Sequence, residues 1–187
     1  SLRSGRRVAA SIVFQGIVAS LVSAPLAAAA THGVVPRFDP DRLYVCPEPN
    51  RPWSLWCPAP EGRRVDPGAA AAAALDSVVL GGLVAPLVAV VRAQVAVSER
   101  VLWGNAASAV AGAVRVLVRA RPAVAVPVAE TARHLLTQGR LAGTGRLLPA
   151  ADPAVPWSFR RASCCLYYRV PGGGWCEDCV LHDRQGR

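Results

Sequence analysis

Four of the six cysteines of this 187-residue chain lie in one stretch, SCCLYYRVPGGGWCEDCVL, residues 163–181. Cys164 and Cys165 are adjacent, ten residues separate Cys165 from Cys176, and two separate Cys176 from Cys179. Thiols this dense serve disulfides, zinc or an iron–sulfur cluster. A disulfide between neighbours closes a strained ring, and one between Cys176 and Cys179 closes a very short loop. Both would be reduced easily in a cytosol. Zinc takes four thiolates on one atom, tetrahedrally. Neighbouring side chains of an extended strand point to opposite faces, so the doublet reaches one atom only over a sharply bent backbone. A [2Fe–2S] cluster also takes four thiolates but spreads them over two irons, which relaxes that demand. Residue chemistry thus leans toward a cluster and leaves zinc open.

The runs CCLYYRV and WCEDCVL are aromatic-rich and β-prone, and PGGG separates them. They read as a hairpin whose turn carries Cys164 and Cys165 to Cys176 and Cys179, with Tyr167 and Tyr168 packed on its two sides. Glu177 and Asp178, between two thiols, would favour an oxidised cluster and lower its potential, and bare N–H groups of the glycine turn would act oppositely. His182 is a spare imidazole. Cys46 and Cys57 repeat a ten-residue gap, each followed by proline. Four ligands being supplied elsewhere, the two read as small apolar side chains that could meet across the PEPNRP turn.

The elements that hold this unit are read as helices. Val8 to Ala30 is an uncharged run, expected as a buried helix bent at Pro25. Its basic flank and Ala-x-Ala sites also fit a signal segment, but Gln15, Gly16 and Pro25 weigh toward a core helix, without stable membrane insertion. Residues 31–66 are rich in Pro, Asp, Asn and Arg, with two aromatic runs, RLYV and WSLW: a loop or short irregular hairpin. A helix starts at Asp66–Pro67 and ends at Gly81–Gly82, and the charge-free stretch Ser77–Val91 is too short to span a bilayer. Ser98 with Glu99 opens the next helix, which stops at Pro122. Gly104, Ser108 and Gly112 lie four apart on it, a face that another helix could approach closely. PVAETARHLLTQG is a last helix closed by Gly139, and GRLAGTGRLLPAADPAVPW, residues 139–157, reads as a linker or a loosely ordered approach. The fold class is mainly α, of α+β type: a helical core, a small irregular hairpin element and a C-terminal cysteine-rich hairpin unit.

Composition excludes more than it assigns. The net charge is +9, with 21 arginines and no lysine. No basic stripe with interleaved aromatics accompanies it, so nucleic acid is not an expected partner. No strand–glycine loop–helix unit, Ser-His-Asp grouping or paired carboxylate site stands out, which removes nucleotide binding and hydrolysis. The chain has no methionine, so a processed N-terminus or a fragment is expected.

FRRASCCLYYRVPGGGWCEDCVL resembles the C-terminal signature of the FhuF-like ferric siderophore reductases, bacterial proteins with a [2Fe–2S] cluster on Cys-Cys-x10-Cys-x2-Cys. The spacing matches at every cysteine. SERVLWGNAASAVAGA, residues 98–113, is similar to a Trp-Gly-Asn helix of that family, and the first helix with THGVVP has a counterpart there. The resemblance implies a cytoplasmic enzyme that reduces a ferric siderophore by one electron. It implies a [2Fe–2S] cluster on Cys164, Cys165, Cys176 and Cys179, a helical siderophore-binding part over residues 1–150, shortened at its start, and a cluster unit over 151–187. Trp103 and Asn105 are the candidate contacts to a hydroxamate-type chelate. Arg160, Arg161 and Arg169 are the candidate docking residues for an acidic donor such as a ferredoxin or flavodoxin.

Overall fold

The structure, a computed structural model, describes residues 2–46, 54–58, 60–150 and 152–184. Its frame is helical. Helix α1 (Leu2–His32) lies along α4 (Glu99–Ala120), and α5 (Ala125–Thr137) packs on both. Phe14, Val18 and Leu26 of α1 meet Leu102, Val110 and Val114 of α4 and Val128 and Leu135 of α5 in one apolar core. Each such fully buried side chain contributes about 1.5–3 kcal/mol. The run of small residues Ala106, Ala107, Ala109 and Ala111 is buried on α4 and keeps neighbouring backbones close.

Helix starts follow the local chemistry. Ser98 caps α4, its Oγ accepting from Val101 N at 3.4 Å, with Glu99 in the first turn. Gly139 ends α5 with a left-handed φ of 56°, where a Cβ would press within 2.8 Å of Asp76 Oδ1.

Between them the sequence misleads. Helix α2 (Ala69–Leu75) does not stop at Gly81–Gly82. It continues as a π-helical segment, Asp76–Val84, into α3 (Ala85–Gln94). Pro86 has no N–H and its ring crowds the carbonyl four residues back, which is Gly82. Two permissive glycines let the coil widen to the i→i+5 pattern instead of breaking, Ala85 N reaching Leu80 O. The continuous rod is longer than its charge-free stretch. Among the described residues, three helices, Gly5–His32, Ala69–Gln94 and Glu99–Ala120, are long and apolar enough to cross a membrane by length and composition.

The described residues between 34 and 64 form two antiparallel ribbons. Strand β1 (Val34–Arg37) pairs with β4 (Glu61–Arg64), and further out β2 (Tyr44–Cys46) pairs with β3 (Ser54–Trp56). Tyr44 and Trp56 face each other across this outer ribbon, ring centroids 5.4 Å apart. The PEPNRP turn lies outside the described residues.

The expected linker contains structure. Strand β5 (Gly145–Leu148) pairs with β6 (Ser158–Arg161), Gly145 opposite Arg161 and Leu147 opposite Phe159. Phe159, Trp157 and Leu141 sink into the helical core, and Trp157 Nε1 donates to Ala129 O of α5 at 3.3 Å. This ribbon fastens the cysteine segment to the bundle. Its alternation is masked in sequence because Gly145 and Arg161 break the apolar period.

Candidate metal centre

Strand β6 hands the chain to the cysteine doublet through two backbone bonds, Arg161 N to Asp178 O at 3.1 Å and Ala162 N to Thr144 O at 2.8 Å. The segment then folds back on itself, but not as paired strands. Leu166 turns it with φ 70°, the one non-glycine left-handed residue among those described. A branched side chain there costs about 1–3 kcal/mol and persists only where surroundings impose it. A 3-10 turn, Tyr167–Arg169, follows, then Gly173 N bonds Val170 O at 2.8 Å. The return leg reaches Cys176, Cys179 N bonds Cys176 O at 3.1 Å, and a second 3-10 turn covers Val180–Arg184. Tight turns replace strands because sulfurs from adjacent residues must end on one side of the backbone, which a pleated strand forbids.

Cys165 Sγ and Cys176 Sγ lie 3.4 Å apart. Leu166 N donates to Cys164 Sγ and Leu181 N to Cys179 Sγ, each at 3.4 Å and each two residues on. Backbone N–H groups aimed at sulfur stabilise thiolate charge. The Cys165 thiol is drawn down to about 6, chiefly by its hydrogen bond with Cys176, and less by backbone N–H and the positive Arg161. Sharing that hydrogen, with burial, holds the Cys176 thiol far above its ordinary range.

The packing that supports this unit centres on Arg161, which is 2% exposed. Its Nε donates to Ser163 O at 2.9 Å, its Nη1 to Gln15 Oε1 at 3.4 Å, and its Nη2 to Asn105 Oδ1. Asn105 Nδ2 in turn donates to Ser11 O at 2.8 Å, and Ser11 Oγ donates to Cys165 O, also at 2.8 Å. One polar chain therefore joins α4, α1 and the doublet. Gly104 makes room for it, since a Cβ there would run into Ser163 Oγ and come within 3.2 Å of Arg161 Nη2.

The acids between the last two thiols are not free turn residues. Arg115 of α4 binds Glu177 Oε2 through Nε at 3.0 Å and Asp178 Oδ1 through Nη1 at 2.9 Å. Burial pushes the Asp178 carboxyl up and Arg115 opposes it. Part of the negative charge expected to lower a cluster's potential is thus cancelled in place. Arg115 is the functional side chain that sequence reading misses. Its spacing on α4, three residues after Gly112 on the small-residue helix, carries no mark of a partner more than sixty positions away.

The other candidates are placed as follows. Asn105 is fully buried, its amide committed to Ser11 and Arg161. Trp103 is partly exposed and donates to Glu99 Oε1 at 3.2 Å. Arg160 holds Cys179 O at 2.7 Å, and Arg169 lies exposed beside Tyr168. Arg161, expected to dock a donor, cannot reach one from the interior. Its charge belongs to the core because the β5–β6 register turns it inward, as it does Phe159 two residues earlier. Tyr167 and Tyr168 are half-exposed on the 3-10 turn instead of flanking a hairpin, and His182 packs edge-on against Trp175 at 5.1 Å between ring centroids.

Among the described residues no three His, Cys, Asp or Glu side chains converge tightly enough to hold one metal ion. The four cysteines, with N–H groups directed at the sulfurs of Cys164 and Cys179, supply the four thiolates that a [2Fe–2S] cluster takes. Residues 161–181 match the family of the FhuF 2Fe-2S C-terminal domain. The cysteine segment is similar to the FhuF [2Fe–2S] domain. The match opens on Arg161 and encloses the doublet, Cys176 and Cys179. It does not reach Trp103, Asn105 or Arg115. Comparison with curated proteins and with solved structures returned no match. The cysteine unit borders a groove of about 540 Å³ that runs between α1 and α4 and ends at Cys176, Glu177 and Asp178.

Proposed function

We propose that the chain is a cytoplasmic ferric-chelate reductase of the siderophore type, with Cys164, Cys165, Cys176 and Cys179 holding its cluster. A [2Fe–2S] cluster bound there supplies a one-electron carrier whose potential depends on charge, exposure and hydrogen bonds to sulfur. The substrate logic is simple. Hard ferric ion is held tightly by anionic oxygens such as hydroxamates, and ferrous ion, with less charge, far less so. One electron supplied by a donor protein leaves ferrous iron and the free chelator.

The observation that carries this reading is the groove ending at Cys176. Its walls are Ala19, Ser23 and Ala27 of α1 and Ala109, Gly112 and Ala113 of α4, small side chains that leave width for an organic chelate. Arg115, Glu177 and Asp178 form its polar end, beside the thiols. Electron delivery needs proximity, and the groove would hold the iron of a chelate close to the cysteine unit. Asn105 positions the unit through Arg161 and is not part of the groove. Arg160 and Arg169, with the overall charge of +9, suit an acidic ferredoxin or flavodoxin as donor. A cytoplasmic setting fits α1, whose Ser11 and Gln15 are engaged by the cysteine unit and unavailable to a lipid-facing span.

The test is a stoichiometric one. Anaerobically purified protein, reduced with dithionite and freed of it, should be reoxidised by ferric hydroxamates, with matching ferrous iron in a ferrous trap. An intact cluster that no ferric siderophore reoxidises would leave an electron carrier without this substrate.

A further inference from the structure

A guanidinium that is 2% exposed and has no carboxylate partner is expensive, because an uncompensated buried charge costs several kcal/mol. Among the described residues, Arg161 is in that position. Each of its side-chain acceptors is neutral: the Ser163 carbonyl, the Gln15 amide oxygen and the Asn105 amide oxygen. The acids of the segment do not serve it, since both Glu177 and Asp178 bind Arg115. Hydrogen bonds satisfy the donors of Arg161 but leave its charge. The geometry sets that charge inside the cysteine unit: Arg161 Nε holds the carbonyl of Ser163, next to Cys164, its Nη2 is linked through Asn105 and Ser11 to Cys165 O, and its backbone N binds Asp178 O, next to Cys179.

We propose that Arg161 is the built-in counter-charge of the [2Fe–2S] cluster, a positioning residue that raises its reduction potential. The inference rests on the four cysteines carrying the cluster and not on the ferric-chelate substrate. A cluster bound by four thiolates is anionic and gains one further negative charge on reduction. A fixed positive charge held in a low-dielectric interior favours the reduced state more than the oxidised one. The neutral cage of Gln15, Asn105 and Ser163 keeps Arg161 in place without cancelling its charge, which a carboxylate would do. Arg115 handles the acids, so that Arg161 is left for the cluster.

The test separates charge from packing with three variants, read by redox titration of the visible absorption and by thermal melting. Arg161→Gln removes the charge. Arg161→Lys keeps the charge and loses the fork. Gln15→Glu keeps Arg161 and sets a carboxylate against it. At a fixed ambient potential, Arg161→Gln and Gln15→Glu should each lower the reduced-to-oxidised ratio by about tenfold or more, about 59 mV for one electron. Arg161→Lys should hold the wild-type ratio while melting lower. Gln15→Glu should also raise the melting temperature of the cluster-free chain, where Arg161 lacks any anion. A purely structural Arg161 would move stability in all three and potential in none. Unchanged potentials in Gln15→Glu, with iron and sulfide intact, overturn the proposal even if Arg161→Gln fails to assemble. Wild-type protein free of iron and sulfide after anaerobic purification would instead overturn the cluster assignment beneath it.

Discussion

Asn105 and Arg161 stand 56 residues apart in sequence and are joined by a hydrogen bond, Arg161 Nη2 donating to Asn105 Oδ1 in the interior. The bond locks a helix to the start of the cysteine unit, and through Ser11 it also locks the first helix. The Trp-Gly-Asn stretch is therefore a fastening, with Gly104 giving clearance and Asn105 providing the grip.

Asn105→Ala should behave as a stability variant. It leaves Arg161 Nη2 without its acceptor in a buried site, a loss of about 1–3 kcal/mol, and cuts the link to Ser11. Chemical denaturation should show a lower midpoint and earlier loss of the visible absorption. A variant with wild-type stability and weakened binding of a ferric hydroxamate would return Asn105 to the substrate.

Gly104→Ala and Gly112→Ala should diverge. On helix propensity alone each gains about 1 kcal/mol. At Gly112 the nearest atom to a new Cβ is Arg115 Nη2 at an ordinary 3.7 Å, so the gain should appear. At Gly104 the Cβ collides with Ser163, and the cysteine unit must lift. Limited proteolysis should cut Gly104→Ala within residues 161–184 faster than wild type. Equal cleavage of both variants would refute the clearance argument.

Arg115→Ala should cost more than Glu177→Gln. The first strands the Asp178 carboxylate, 5% exposed, and removing one partner of a buried pair costs about 3–5 kcal/mol. The second removes a group whose side chain is 65% exposed and should lie within about 1 kcal/mol of wild type. Equal losses on equilibrium unfolding would mean that the exposed arm of the pair carries the energy.

Cys176→Ser should abolish or distort the cluster spectrum, and the double change Cys46→Ser with Cys57→Ser should leave it intact. Cys46 sits exposed at the end of an outer ribbon, opposite Ser54, remote in sequence from the cysteine unit. Loss of iron in the double variant, with the helical circular dichroism retained, would reassign the ligands.

A reporter active only outside the cytoplasm, fused after Ala30, should stay silent. The helix Gly5–His32 has the length and apolarity of a span, so the outcome is decided by what it packs on and not by hydropathy. Strong reporter activity would reverse the compartment and make disulfides admissible.

The sequence by itself determined the thiol chemistry and the helical frame. Ligand count and spacing are local properties, and Cys-Cys-x10-Cys-x2-Cys states them in one short segment. Helix starts are local too: Ser98 and Glu99 declare α4 because a cap and a first-turn acid act within four residues. What only the tertiary structure decided is everything that depends on register between distant elements. The β5–β6 pairing turns Arg161 inward, and no pattern around RR distinguishes the buried arginine from Arg160 beside it. Arg115 meets Glu177 and Asp178 only because α4 runs past the return leg of the loop. The two glycines at 81 and 82, terminators by propensity, became a wide coil because Pro86 follows them within a rod held by its neighbours. The cysteine unit itself needed turns where its β-prone residues promised strands, since the sulfurs, not the side-chain propensities, set which way that backbone must bend.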